Sequence, residues 1–238
     1  LRRRHAATLV LLFSAAFARA GATPAARATA LASEPPDTVL AKYTHALDVL
    51  PVPKFVEFDY SVEQVGMHDL VQTHRIYRSG GTERDEITSV DGQALPHSSI
   101  RIIRDRVDHY GIGAVAPREP RYTFSFIGKR RAGGHYDYLF STHPRVQTAF
   151  FVRAIAIDGT HYLPSQVVFS ATTRSARAEG RLLYGPVERY WMIGEAAVSA
   201  RVAGKISRER IAFGRYLFPQ SLPESTFVQP RGAATPTP

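Results

Sequence analysis

From Val56 onward the apolar residues of this chain recur at every second position, and that period of two fixes the fold class before composition is considered. Val56, Phe58, Tyr60 and Val62 alternate with Glu57, Asp59, Ser61 and Glu63, which gives one dry face and one wet face. Tyr122, Phe124 and Phe126 repeat the pattern, and so do Tyr136, Tyr138 and Phe140. Turn chemistry separates the runs at Gly80-Gly81, Asp91-Gly92, Gly133-Gly134 and Asp158-Gly159. Connections this short join only antiparallel neighbours, so the expected sheet is an antiparallel meander of about nine or ten strands. Phe150 to Ile157 is apolar on both faces, as a central strand covered on each side would be.

One segment departs from the period of two. After Pro35-Pro36, Asp37 stands where a helix cap is needed, and Val39, Leu40, Tyr43, Leu47 and Leu50 follow at helical spacing until Pro51 and Pro53. A helix from Asp37 to Leu50 would be about 21 Å long, too short to hide the dry face of so wide a sheet. The sheet is therefore expected to curl into an open or half β-barrel, with the short N-terminal helix as its lid or plug. The fold class is mainly β. A strongly curved sheet with an aromatic interior can hold a ligand, and the candidate cavity residues are Phe58, Tyr60, Val62, Phe124, Phe126, Phe140, Phe150 and Val152.

The first twenty residues point to export. Arg2, Arg3 and Arg4 precede an apolar run from Ala6 to Ala18, and Ala18-Arg19-Ala20 fits the small-x-small rule for cleavage after Ala20. An uncleaved membrane anchor is the competing reading, disfavoured because so short a run covers little of the ~30 Å of hydrocarbon. Residues 21–34, rich in Ala, Thr and Arg, read as a flexible leader, 35–228 as a single β domain, and 229–238 as a disordered tail. The expected location is periplasmic or otherwise extracytoplasmic.

The chain has no cysteine, so it must fold in that compartment without disulfides and without thiolate-bound zinc or iron–sulfur clusters. Of its formal charge of +9, four arginines lie in the signal, leaving a moderate excess of +5. Nucleic acid is not an expected partner for an exported chain; an anionic membrane surface or lipid headgroup is.

Catalytic and cofactor motifs fail on context. Gly111-Ile112-Gly113-Ala114-Val115-Ala116 matches the dinucleotide pattern G-x-G-x-x-A, but Pro117 and Pro120 follow where a helix must start, so a strand end and loop are expected. His68 and His74, read on one strand, are about 20 Å apart, too far to share a metal. His135, His143 and His161 fall in hairpins that could converge, yet no ligand spacing supports them, and they read as surface or turn residues. No G-x-S-x-G elbow is present. Asp105 and Asp108, among Arg101, Arg104 and Arg106, read as exposed cross-strand ion pairs. No catalytic residue, cofactor or metal is assigned. Lys129-Arg130-Arg131 reads as a solvated hairpin tip, or alternatively as a contact for anionic headgroups. Trp191 reads as a core residue before a ligand-facing one.

The last third of the chain carries a family resemblance. Ile157-Asp158 followed by Leu163-Pro164 and Val167-Val168-Phe169, then Tyr184, Trp191, Gly204, Ile211, Tyr216-Leu217-Phe218-Pro219 and Leu222-Pro223 before Phe227, resemble the periplasmic outer-membrane lipoprotein carrier and sorting group, LolA-like proteins. The resemblance implies an open curved sheet around helical lid elements, a hydrophobic cavity for acyl chains, and no catalysis. Carriers of that group hold the lid shut with an arginine; Arg75, Arg101 and Arg153 lie on strands here, and no motif selects one. The expected function is a non-enzymatic exported binding protein whose partner is a lipid or an acylated protein. A periplasmic sensor or protein-interaction domain on the same fold is the alternative.

Overall fold

The computed structural model describes residues 33–229 apart from 67, 68, 107 and 109. The signal-peptide reading, nearly all of the leader, the tail past Gln229, and His68 lie outside the described residues.

Helix α1 spans Pro36–Asp48. It begins one residue before the predicted start, because Pro36 occupies the first helical turn, where a fixed φ and a missing N–H cost nothing. Asp37 is not the cap: Pro35 holds that position in extended conformation, and Asp37 sits in the first turn, where its carboxylate complements the helix dipole. Leu50 to Pro53 continue as irregular chain.

Eleven strands follow, more than the sequence suggested: β1 Phe55–Val65, β2 Leu70–Ser79, β3 Thr82–Val90, β4 Gln93–Ile103, β5 Tyr122–Ala132, β6 His135–Pro144, β7 Phe150–Asp158, β8 Pro164–Thr172, β9 Ala176–Val187, β10 Tyr190–Val202 and β11 Lys205–Leu217. Strand β4 carries Pro96 and a polar run and survives as a strand because it is an edge. All pairs are antiparallel, in the order β4-β3-β2-β1-β11-β10-β9-β8-β7-β6-β5. The sheet is two meanders, β1–β4 and β5–β11, sewn together where β1 pairs with β11. At the Asp91-Gly92 hairpin both central residues have positive φ (50° and 78°), the turn whose twist matches that of its strands. Register shifts on β1, β5, β7 and β10 add twist and help to bend the sheet.

The two edge strands, β4 and β5, are consecutive in sequence, so the chain from 104 to 121 must pass from one edge of the sheet to the other. It does so as a strap bearing a one-turn helix, α2, at Ile112–Val115. The glycine run expected to be a strand end and loop is thus helical for four residues, with Gly111 at its N-cap and Pro117 just beyond its end.

Helix α1 and the strap share the concave face. Val39, Tyr43 and Leu47 pack with Ile112 and Val115 onto Phe140, Val152, Ile155, Val167, Leu182 and Ala196, all buried. That cover is spent on β6–β10. On β1 and β2, Val56, Phe58 and Ile76 form a second, smaller cluster that, among the described residues, packs against Tyr60, Met192, Phe213, Tyr216 and Phe218 and no helical residue. At its two ends the described chain is held to the domain: the Glu34 N–H donates to the Tyr138 hydroxyl at 2.9 Å, and the Gln229 side-chain amide to the Ile100 carbonyl at 3.0 Å. Among the described residues no helix is long and apolar enough to cross a membrane.

Candidate functional site

The uneven cover leaves a partly open cavity of about 540 Å³ between the strap, the residues that follow α1, and strands β1, β2, β9, β10 and β11. Alternation on β1 aims Val56, Phe58, Tyr60 and Val62 into it, and β11 adds Ile211 and Phe213. Trp191, Met192 and Ile193 line it from β10, and Tyr184 from β9. Leu50 to Pro53 form one lip; the opposing lip is Tyr110 to Ala114.

Three polar tips in this wall are tied back. The Trp191 indole N–H donates to the Pro164 carbonyl at 2.8 Å, the Tyr184 hydroxyl to the Tyr110 carbonyl at 2.7 Å, and the Tyr216 hydroxyl to the Ile193 carbonyl at 2.7 Å. Trp191 is therefore both core and wall: only 8% exposed, it packs with the main cluster and also borders the cavity. Burial pushes the Tyr60, Tyr184 and Tyr216 phenols above the ordinary tyrosine range, so these hydroxyls keep their protons even in alkaline solution.

A cluster of charge gathers at one end, while a single carboxylate, Glu209, lines the cavity toward the other end of β1. Buried Glu83 accepts from Arg78 at 3.0 and 2.9 Å and contacts Arg106 Nε at 3.0 Å. Asp108 lies 3.6 Å from Arg78 and 3.5 Å from Arg106, and it accepts the Gly111 N–H at 3.0 Å, fixing the start of α2. This corrects the expectation of exposed cross-strand pairs around Asp105 and Asp108. Strand β4 stops at Ile103, so Arg106 and Asp108 belong to the strap and meet Glu83, the carboxylate of a neighbouring strand, at the cavity mouth. The Arg78 guanidinium also lies 5.4 Å from the Phe58 ring centroid. Deeper in the same half, His74 stacks on Tyr60 with centroids 4.4 Å apart, and its Nδ1 lies 2.7 Å from buried Asp85, which also accepts from Arg101 at 3.0 Å.

The eight cavity candidates divide three ways. Phe58, Tyr60 and Val62 line the cavity together. Phe140 and Val152 lie in the closed core beside α1, with Phe124 half-buried against it, its ring 6.1 Å from Tyr43. Phe126 and Phe150 are exposed, at 44% and 41%. The physical reason is the resting place of α1: the same inward alternation ends in packed core under the helix and in open wall beyond it.

Sequence reasoning passed over Phe213, Met192, Arg78 and Glu83, and gave Ile211 and Arg106 no place in a cavity. The Arg78–Glu83 pair was within reach, since the two residues face each other across the Gly80-Gly81 hairpin. The arginines considered for the lid go elsewhere: Arg75 to Asp59, Arg101 to Asp85, Arg153 to Glu179. Arg118 instead joins the strap to the end of α1, donating to Asp48 at 2.6 Å and to the Leu47 carbonyl at 3.0 Å.

The basic triplet also moves. Lys129, Arg130 and Arg131 lie within β5, and Gly133-Gly134 alone make the turn; Arg130 reaches buried Asp137 at 2.7 Å. Two of the hairpin histidines, His135 and His161, meet at the Asp158 carboxylate, at 2.6 and 2.9 Å, rather than facing solvent independently; His143 is exposed elsewhere on β6.

No family model matches the chain, and no curated protein matches it. Solved structures similar to it include a domain described as an outer membrane lipoprotein-sorting protein from Vibrio parahaemolyticus, at TM-score 0.45 and 10% identity over 80% of this chain and 96% of that one. A DUF1329 family protein from Desulfovibrio piger follows at TM-score 0.42 and 11% identity, covering 80% and 97%. A LolA superfamily protein from Nitrosomonas europaea, the group the C-terminal residues resemble, is similar at TM-score 0.38 and 10% identity, covering 81% and 97%.

Proposed function

We propose that this protein is a non-enzymatic exported binding protein that holds the acyl chain of a lipid or of a lipoprotein in the cavity bordered by β1 and β11. The observation that carries the reading is a cavity of about 540 Å³ whose wall is mainly aromatic and aliphatic and whose arginines, Arg78 and Arg106, gather at one end. That volume lies within the range of roughly 300–1,000 Å³ occupied by small-molecule sites. An amphiphile suits the layout: its chain lies along Phe58, Val62, Ile211 and Phe213, and its head group stays at the Arg78, Arg106 and Asp108 mouth. Each methylene buried contributes about 0.8 kcal/mol, so one chain suffices for firm retention. The resemblance of the C-terminal block to carrier proteins, and the export-like N-terminal sequence, support an envelope role in lipid or lipoprotein transport.

The test is native mass spectrometry of protein purified without detergent, together with titration of a fluorescent acyl probe. Retained lipid and saturable uptake at one probe per chain are expected. A bare mass with no uptake rejects the reading.

A second reading, a sensor or protein-interaction domain, draws on a groove of about 640 Å³ on the outer face, where Val65 and Val168 lie between Glu179, Arg181, Arg208 and Arg210. Charge reversal at Arg181 and Arg208 separates the two: probe uptake is unaffected if the inner cavity is the working site.

A further inference from the structure

Asp137 on β6 and Asp158 on β7 are direct cross-strand partners, and both are buried, at 3% and 6% exposure. Two like charges placed opposite each other and withdrawn from water destabilise a sheet unless a cation answers them. Arg130 contacts only one of the pair, giving its Nη2–H to Asp137 Oδ2 at 2.7 Å, where the Ser165 hydroxyl also donates at 3.2 Å. Asp137 Oδ1 is left with no hydrogen-bond partner among the described residues. Its nearest polar neighbour across the gap is His135 Nε2 at 3.6 Å, beyond hydrogen-bonding reach.

Asp158 is arranged in the same way. Its Oδ1 is saturated, accepting from the Thr160 N–H at 2.9 Å, the His161 N–H at 2.7 Å and the His161 ring at 2.9 Å. Its Oδ2 points to the same His135 Nε2, at 2.6 Å. Each carboxylate thus has one oxygen fixed by protein donors and offers the other to a common point, with one imidazole nitrogen completing the set. One ligand atom from each of the three residues lies within 4.8 Å of the others, and the 2.6 Å contact between His135 Nε2 and Asp158 Oδ2 is the one an entering ion replaces.

We propose that His135 Nε2, Asp137 Oδ1 and Asp158 Oδ2 form a binding site for a first-row divalent transition ion, zinc in particular. One imidazole and two carboxylates suit a tetrahedral ion with ligand bonds of about 2.0–2.2 Å, with a fourth position left for water. Calcium asks for six to eight oxygens and finds too few here. The contacts from Arg130, Ser165, Thr160 and His161 are the outer partners that orient such ligands. His135 is 34% exposed along its side chain, so an ion can enter from solvent. The bound ion would tie the ends of β6 and β7 and, through His161 packed at a tilt against the Trp191 ring with centroids 5.0 Å apart, brace the wall of the cavity.

The experiment uses the full chain, stripped with a chelator and titrated with Zn²⁺ alone in a calorimeter. One ion per chain is expected, and His135→Gln and Asp137→Asn should each weaken it by more than about tenfold. The second readout is Co²⁺, which should quench the fluorescence of Trp191, the only tryptophan. Zn²⁺ should reverse that quenching, and His135→Gln should abolish it. The unquenched Trp191 emission of each apo variant reports that its wall is folded. No stoichiometric heat with the parent chain, or Zn²⁺ affinity and Co²⁺ quenching unchanged in folded His135→Gln and Asp137→Asn, overturns the proposal.

Discussion

The Tyr43 hydroxyl donates to the Pro117 carbonyl at 2.6 Å, a bond that fastens α1 to the strap crossing between the edges of the sheet. Tyr43 is 2% exposed, so Tyr43→Phe strands a buried carbonyl, at a cost of about 1–2 kcal/mol. Urea denaturation should show a lower midpoint with an unchanged slope. Because the bond joins two elements beside the cavity, an acyl probe should also leave the variant faster. A stability loss with no change in off-rate would place the strap outside the gating of the cavity.

Val62 is half-buried and faces the cavity, whereas Phe126 is exposed on β5. Val62→Trp should fill the space that an acyl chain requires and lower probe affinity by at least about tenfold, equivalent to 1.4 kcal/mol, with overpacking adding about 1–3 kcal/mol of strain. Phe126→Trp is the matched control and should bind as the parent does. Equal binding by both variants would move the site away from the cavity.

These two positions show what the sequence discloses and what it withholds. Period two picks out the inward residues of β1 and several of the later strands, so Phe58, Phe140 and Val152 look alike in the chain. What separates cavity from core is where a helix of about 20 Å comes to rest. That depends on Val39, Tyr43 and Leu47 choosing β6–β10, a long-range choice that local patterning does not encode. The β1–β11 pairing is equally remote: Val62 faces Ile211 across almost the whole length of the domain, so half of the cavity wall was invisible beside the legible half. His135 and Asp137 share a face by their spacing, but their meeting with Asp158 depends on the β6–β7 register.

Glu83 is the carboxylate on which Arg78 and Arg106 converge, and its side chain is 6% exposed. Glu83→Gln removes that counter-charge and leaves two mostly buried guanidiniums with Asp108 as their remaining acidic contact. Breaking a buried ion cluster by losing one member costs about 3 kcal/mol, so a clear drop in denaturation midpoint is expected. The freed guanidiniums should also favour anionic over zwitterionic amphiphiles in competition with the probe. A neutral effect on both readouts would mean that the cluster is solvated and holds nothing in place.

Gly180 on β9 pairs with Phe169 on β8, and the phenyl ring occupies the space a side chain would need. A Cβ built there comes within 2.5 Å of Phe169 Cζ and 2.8 Å of the Ala197 carbonyl oxygen. Phe169 is itself buried and packed at a tilt against Phe150 with ring centroids 5.1 Å apart, so its ring has little room to swing away. Gly180→Ala should therefore cost about 1–3 kcal/mol, the range for an overpacked core. Gly185, on the same strand, has nothing within 4 Å of the corresponding point. Gly185→Ala should leave stability unchanged or raise it by about 0.4–1 kcal/mol through the unfolded chain. Paired urea denaturation curves decide the matter: similar effects from both variants would mean that Phe169 does not rest on Gly180 in solution.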